Sequence, residues 1–121
     1  MPELEQHHDE TAAAAPDLAL RRAVVAEVNE VPGVARIEPG LAGAIRSWLS
    51  AAPEHEIGVT LRDRRASVTV NVAIRAGYRA RDVARDVHER LAAVVQEQGL
   101  APGDLEVSVL TIEPAQPPRG E

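Results

Sequence analysis

The sequence predicts a two-layer α+β domain, in which two helices cover one face of a mixed four-stranded sheet. Residues 67–74 alternate polar and apolar side chains, which is typical of a strand buried on one face. Residues 80–98 then repeat valine and leucine at helical spacing, opposite arginine and acidic residues. The chain has no Phe, one Trp and one Tyr, so small aliphatic side chains must fill the core. Such a core suits a pleated sheet.

The first helix is predicted over residues 18–31, with Asp17 as its N-cap. Its buried stripe recurs at helical spacing and comprises Leu20, Val24, Val28 and Val31. Pro32-Gly33 stops this helix, and residues 34–37 form a short first strand. For residues 41–50, a short helix and an irregular loop both remain open.

A hairpin is predicted next. Alternating Ile57, Val59 and Leu61 mark the second strand, and residues 63–65 form the turn that leads into the third strand, residues 67–74. The turn lacks the Asn-Gly or Asp-Gly pair that favours a tight primed turn, so its type is left open.

The second helix is predicted over residues 80–98, with Gly99 at its end. Two pairs at i,i+4 spacing are expected to support it, Arg85 with Glu89 and Asp86 with Arg90. Pro102-Gly103 leads into the last strand, in which Leu105, Val107 and Val109 face one way. The predicted order is therefore α-β-β-β-α-β.

One domain is expected, over residues 17–113. Residues 1–16 hold four acidic residues and no Lys or Arg, and we predict a disordered acidic tail. Residues 114–121 are predicted to be a second, proline-rich disordered tail.

Composition excludes several classes of protein. The chain has no cysteine, so disulfide and thiolate chemistry are excluded. No secretory signal and no apolar run of about 20 residues are found, which predicts a cytoplasmic protein with peripheral membrane association at most. A net charge of −6 and strands without aromatic residues argue against nucleic acid as a partner.

No pattern in the sequence indicates catalysis, and we expect no enzyme activity, catalytic residue, metal or cofactor. The serines lie outside any G-x-S-x-G turn, and the glycines form no phosphate-binding loop. His55 lies beside two glutamates without metalloprotease spacing, His88 is read as a helix-boundary residue, and His7-His8 has no third ligand nearby.

Six stretches, in order and at characteristic spacing, carry a family resemblance: residues 30–35, residues 40–43, residues 68–74, Gly77, the Asp82-Val83-Ala84 stretch with Val87, and residues 105–111. Together they resemble the bacterial alkaline shock protein family, also called the envelope stress response family. The resemblance covers about residues 17–113.

The resemblance implies a non-enzymatic protein of the envelope stress response. It would act at the inner face of the membrane, by self-association or by binding a membrane-anchored protein. The family has no established catalytic residues to carry over. Four glycines of the matching stretches are interpreted as structural, required for positive φ or close approach: Gly33, Gly40, Gly43 and Gly77.

One local rule is broken at the start of the second helix, where acidic and short polar residues are preferred. Arginines stand there instead, and we predict a patch that binds an anion or an acidic partner, formed by Arg75, Arg79, Arg81 and Arg85. The alternative is that their stems cover apolar surface while their charged ends stay in water. A second candidate patch is Arg62, Arg64 and Arg65, near the hairpin turn.

The sequence therefore favours an interaction or structural protein that associates with itself or with a membrane-associated partner. A small-ligand-binding regulatory α+β domain is the alternative.

Overall fold

The computed structural model describes residues 17–39 and 56–114, and six elements lie within them. Helix α1 covers residues 17–29. The later elements are β1 (Val34–Glu38), β2 (Gly58–Arg62), β3 (Arg65–Ile74), α2 (Ala80–Glu97) and β4 (Ala101–Ile112). This order confirms the predicted α+β class. Several predictions concern residues that the structure does not describe: the acidic tail, the 41–50 segment, Gly40 and Gly43. Of the predicted proline-rich tail, only residue 114 is described.

Strand β3 is the centre of the sheet. Its residues 71–74 pair antiparallel with β1, and its residues 65–69 pair antiparallel with β2. Strand β4 pairs parallel with β3 along the whole length of β3. Because β4 takes one entire edge of β3, β1 and β2 share the other edge end to end. The sheet is therefore mixed, as predicted.

Both helices cover one face of this sheet. Alternate residues of β3 belong to a single buried cluster, namely Ala66, Val68, Val70, Val72 and Ile74. The same cluster includes the stripes of the two helices, namely Leu20, Val24, Val28, Val83, Val87, Leu91, Val94 and Val95. Fully burying one such aliphatic side chain contributes about 1.5–3 kcal/mol, so this aliphatic layer holds the helices on the sheet.

Contacts of the two helices differ from the predicted ones. Residue 17 is already helical, so Asp17 is not an N-cap; its carboxylate accepts a hydrogen bond from Arg21 Nε at 3.1 Å. Both predicted i,i+4 pairs in α2 are wrong. Arg85 pairs with Asp82 at 3.4 Å, and Arg90 reaches across to Glu27 of α1 at 2.7 Å. The carboxylate of Glu27 belongs to the neighbouring helix, so residue spacing within α2 alone could not predict this pair.

Strand β4 is longer than predicted, because it includes Pro102-Gly103 and extends to Ile112. A shift in register at Gly103 and Asp104 adds one residue opposite Ser67, whose Oγ accepts the Asp104 N–H at 3.1 Å. A second shift makes Leu110 an extra residue. Edge strands tolerate proline and bulges of this kind. The regular segment of β4 is therefore Leu105–Val109.

The β2–β3 hairpin has a two-residue turn. Asp63 and Arg64 have φ of 51° and 63°, and Arg62 pairs directly with Arg65. Positive φ at both central residues is the type I′ arrangement, whose twist matches that of the strands. The predicted turn at 63–65 is thus one residue too long, since Arg65 already belongs to β3.

Gly33 is required where α1 turns into β1, and this generates the first prediction. Gly33 has φ +93°, and a Cβ there would lie 2.6 Å from Tyr78 Cδ1 and 2.8 Å from Val83 Cγ2. Gly77 has a similar φ of +90° but open space around it. We expect Gly77→Ala to cost about 1 kcal/mol of backbone strain and Gly33→Ala about 3 kcal/mol, because overpacking is added to that strain.

Urea unfolding of the two variants measures this difference. Equal losses of stability would mean that the Tyr78 ring simply moves aside.

Candidate functional site

One outer edge of the sheet is occupied by a side chain of α1. Arg21 Nη1 donates to the Ile57 carbonyl at 2.9 Å, and Nη2 approaches the Val59 carbonyl at 3.5 Å. The Arg21 side chain is only 13% exposed. A charged donor forms stronger hydrogen bonds than a neutral one, so Arg21 both anchors α1 and satisfies carbonyl groups of edge strand β2.

The opposite edge, formed by β4, is open with respect to the described residues. Among residues 17–39 and 56–114, no strand pairs with β4 on the side away from β3. Its helix-facing residues Leu105, Val107 and Val109 pack against the core but are only partly buried. Leu110 and Ile112 are 53% and 62% exposed. Unpaired backbone groups beside exposed apolar side chains make an edge on which another strand can pair.

A groove runs beside this open edge. Its floor is β4 from Leu105 to Ser108, and its wall is the outer side of α2, formed by Ala84, Arg85 and His88. Ala84 is the smallest of the wall residues, which leaves room next to the strand. The groove therefore offers both hydrogen-bonding backbone and partly exposed apolar surface to an extended segment.

Charge is distributed unevenly along β4. On the face away from the helices, Asp104 and Glu106 come first and Ser108 follows. The Thr69 hydroxyl lies 3.5 Å from Glu106 Oε2, which places this carboxylate on the face of the sheet away from the helices. The two ends of β4 thus differ, with an acidic first half and an uncharged second half.

The first predicted arginine patch lies around the start of α2. Arg79 is the N-cap residue, in an extended conformation and without a side-chain capping hydrogen bond. Arg75, Arg79 and Arg81 are exposed, and within the described part of the chain their guanidinium groups have no ion pair. Arg85 instead pairs with Asp82. The patch thus contains three exposed, unpaired cations beside a helix that begins without a cap.

The second predicted patch lies at the hairpin turn. Arg65 Nη1 donates to the Pro102 carbonyl at 3.1 Å, and Arg64 Nη2 approaches the Gly99 carbonyl at 3.5 Å. Arg64 therefore contacts the segment that joins α2 to β4, and Arg65 contacts the start of β4. Arg62 has no ion pair within the described ranges.

Residues 17–39 and 56–114 contain no group of three or more His, Cys, Asp or Glu side chains that could hold a metal ion. No helix there is long and apolar enough to cross a membrane.

No protein-family model and no curated protein matches the sequence. Solved structures of the MamM CTD are similar at low identity. A nickel form of one variant shares 15% identity over 78% of this chain and 98% of that chain, with a TM-score of 0.49. A cadmium form of another shares 15% over 78% and 96%, with a TM-score of 0.49. At this level the likeness carries no argument about family, metal or partner, and the alkaline shock resemblance stays a prediction.

Sequence reasoning missed two features of the site. Arg21 contacts the carbonyl groups of Ile57 and Val59, which are 36 and 38 positions away in the sequence. No local sequence pattern predicts these contacts. The length of β4 could have been predicted, since polar and apolar residues alternate from Asp104 to Val109, and Leu110-Thr111-Ile112 adds two apolar residues and a β-branched threonine. The start of the strand was not predicted, because Pro102 and Gly103 are typical of a turn and not of a strand.

The missing cap of α2 generates the second prediction. Arg79→Ser supplies an oxygen for the free N–H groups of the first turn and removes a cation from the positive end of the helix. We expect the free energy of unfolding to rise by about 1 kcal/mol. Arg81→Ser, within the first turn, is the matched control and should give less than half of this gain in the same urea titration.

Glu56 generates the third prediction, on pH. It precedes β2, and burial raises the pKa of its carboxyl above the ordinary value of 4.5. The folded state therefore holds this proton more tightly than the unfolded state. Its contribution to stability is present below pH 4.5 and is lost as pH rises through the folded pKa.

Glu56→Gln should raise stability at pH 7 and flatten this part of the pH dependence. An unchanged difference between pH 4 and pH 7 in thermal melts of the variant would contradict the assignment.

Proposed function

We propose that this chain is a non-enzymatic interaction protein that associates with itself through the open edge of β4. The single observation that carries the proposal is the outer edge of the 12-residue strand Ala101–Ile112, which pairs with no strand of the described residues and carries a partly exposed apolar row. An edge of this kind pairs most readily with another strand, and a second copy always supplies one.

The regular segment of β4 specifies one geometry for this pairing. Bulges bound it on both sides, so only Leu105–Val109 offers an uninterrupted ladder. A two-fold axis through its midpoint, Val107, uses all of these residues. Val107 then lies opposite Val107 of the partner subunit, and Leu105 lies opposite Val109 of the partner subunit. The helix-facing apolar row becomes continuous across the interface.

Charge supports the same register. Pairing centred at Val107 places Glu106 opposite Ser108 of the partner subunit, whose hydroxyl can donate to the carboxylate. A centre at residue 104, 105 or 106 would put acidic residues of the two copies opposite each other, which is destabilising. A centre beyond Val107 would run into the bulge at Leu110. The register that avoids both penalties is the one centred on Val107.

The dimer should be reversible. One strand pair with three partly exposed apolar residues from each copy buries less surface than a standard stable interface. We therefore expect a dissociation constant on the order of micromolar. Such an affinity fits a protein whose assembly follows its local concentration.

A membrane-anchored partner belongs to the same proposal. It rests on the resemblance to the alkaline shock family, whose members are thought to act near the membrane by self-association or through an anchored protein. A small-ligand-binding regulatory role remains the alternative prediction.

Cysteine cross-linking tests the register directly, because the chain has no cysteine of its own. Val107→Cys should form a covalent dimer on mild oxidation, since paired residues across antiparallel strands have Cα atoms about 4.5–5.5 Å apart. Leu105→Cys is the matched control. Its two copies would lie about 14 Å apart, from four residues at about 3.4 Å each, beyond the reach of a disulfide.

Sedimentation of the unmodified chain across concentrations accompanies this experiment, with Val107→Lys as the variant that sets two cations opposite each other. The lysine variant should stay monomeric with unchanged circular dichroism. A monomer at every concentration of the natural chain, or equal cross-linking at residues 105 and 107, would sink the proposal.

A further inference from the structure

The open face of the β2–β3 hairpin gathers donor groups that the proposed function does not use. Two neighbouring cross-strand pairs lie there, Thr60 with Ser67 and Arg62 with Arg65. Ala66 and Val68 belong to the helix-facing core, so Ser67 and Arg65 point to the other face. These four side chains, together with Asp63, line one shallow depression.

The residues at this tip conflict with local preferences in two ways. Arg62 and Arg65 are like charges directly opposite each other, which weakens an antiparallel pair. Arg64 has φ +63°, where glycine is strongly preferred in a type I′ turn. Each conflict lowers stability, and both lie within residues 62–65 at the tip of the hairpin. Local conflicts of this kind are expected where a functional site is built.

The chemistry of the depression suits an oxyanion. Arg62 has no ion pair among the described residues, and Arg65 uses Nη1 on the Pro102 carbonyl and keeps other N–H groups. The Ser67 oxygen accepts the Asp104 N–H, which leaves the hydroxyl proton free to donate. Thr60 adds a second hydroxyl. Asp63 is the one carboxylate among the lining residues. Asp104, whose N–H binds Ser67, follows on the same face, so a ligand must bind several donors at once to offset these negative charges.

The site is also held in place before any ligand arrives. The Ala101 N–H donates to the Arg64 carbonyl at 2.8 Å, and Arg64 Nη2 lies 3.5 Å from the Gly99 carbonyl. The hairpin tip is thereby fixed to the segment between α2 and β4. Arg65, whose Nη1 is held by the Pro102 carbonyl, therefore loses less conformational entropy on binding than a free surface arginine does.

We propose that Arg62, Arg65, Thr60 and Ser67 form a binding site for a phosphate group. Each guanidinium fork can bind two oxygens of the tetrahedral phosphate, and the two hydroxyls complete the donor set. A soluble phosphomonoester and the headgroup of a lipid such as phosphatidic acid both present this phosphate group, and the experiment below distinguishes the two sources.

The test uses the full chain at constant ionic strength, with inorganic phosphate as the probe and amide chemical shifts of Thr60–Ser67 as the readout. Arg62→Gln/Arg65→Gln should weaken phosphate binding about tenfold or more, since each lost charge-assisted hydrogen bond is worth about 1.5–3 kcal/mol. Arg75→Gln/Arg79→Gln removes the same charge at the other arginine patch and should change the affinity less than about twofold.

A second arm separates the two sources of phosphate. Phosphatidylcholine vesicles with and without phosphatidic acid are sedimented with the same three proteins. Loss of vesicle binding only in Arg62→Gln/Arg65→Gln supports a lipid headgroup, and phosphate binding without vesicle binding supports a soluble ligand. Absence of saturable phosphate binding by the natural chain, or equal weakening in the two double variants, would overturn the proposal.

Discussion

Strand β3 is the constraint on which the rest of the structure depends. It is hydrogen-bonded along both edges and buried on its helix-facing side. A strand in that position needs neighbours on both edges and a cover on one face. The valines of β3 meet the valines of α1 and α2, which is how a chain with almost no aromatic residues builds a core.

The two outer edges of the sheet differ in how far other groups cover their backbone. At β2, the part-buried Arg21 side chain donates to the carbonyl of Ile57, which precedes the strand, and approaches that of Val59. At β4, the partly exposed apolar row remains beside an open groove. Proteins usually protect long edge strands from pairing. Protection of one edge and exposure of the other is the contrast on which the proposed interaction surface at β4 rests, and the acidic first half of β4 limits the register proposed for it.

Local sequence patterns predicted most of the helices and strands correctly. The alternation in residues 67–74 and the helical spacing in residues 80–98 correctly placed β3 and α2, because both elements bury one face. Three features could not be predicted from the local patterns of the sequence. They are the end-to-end arrangement of β1 and β2, the contact of Arg90 with Glu27, and the primed turn at Asp63-Arg64. The arginines were visible in the sequence, but their pairing across the hairpin required the register.

Amide hydrogen exchange of β4 at low and high protein concentration tests the central claim most directly. The N–H groups of Leu105–Val109 that point away from β3 are exposed in a single copy and hydrogen-bonded in the pair. Their protection should rise with concentration, while the amides of β2 stay unchanged. Protection in β4 that does not vary with concentration would contradict association through this edge.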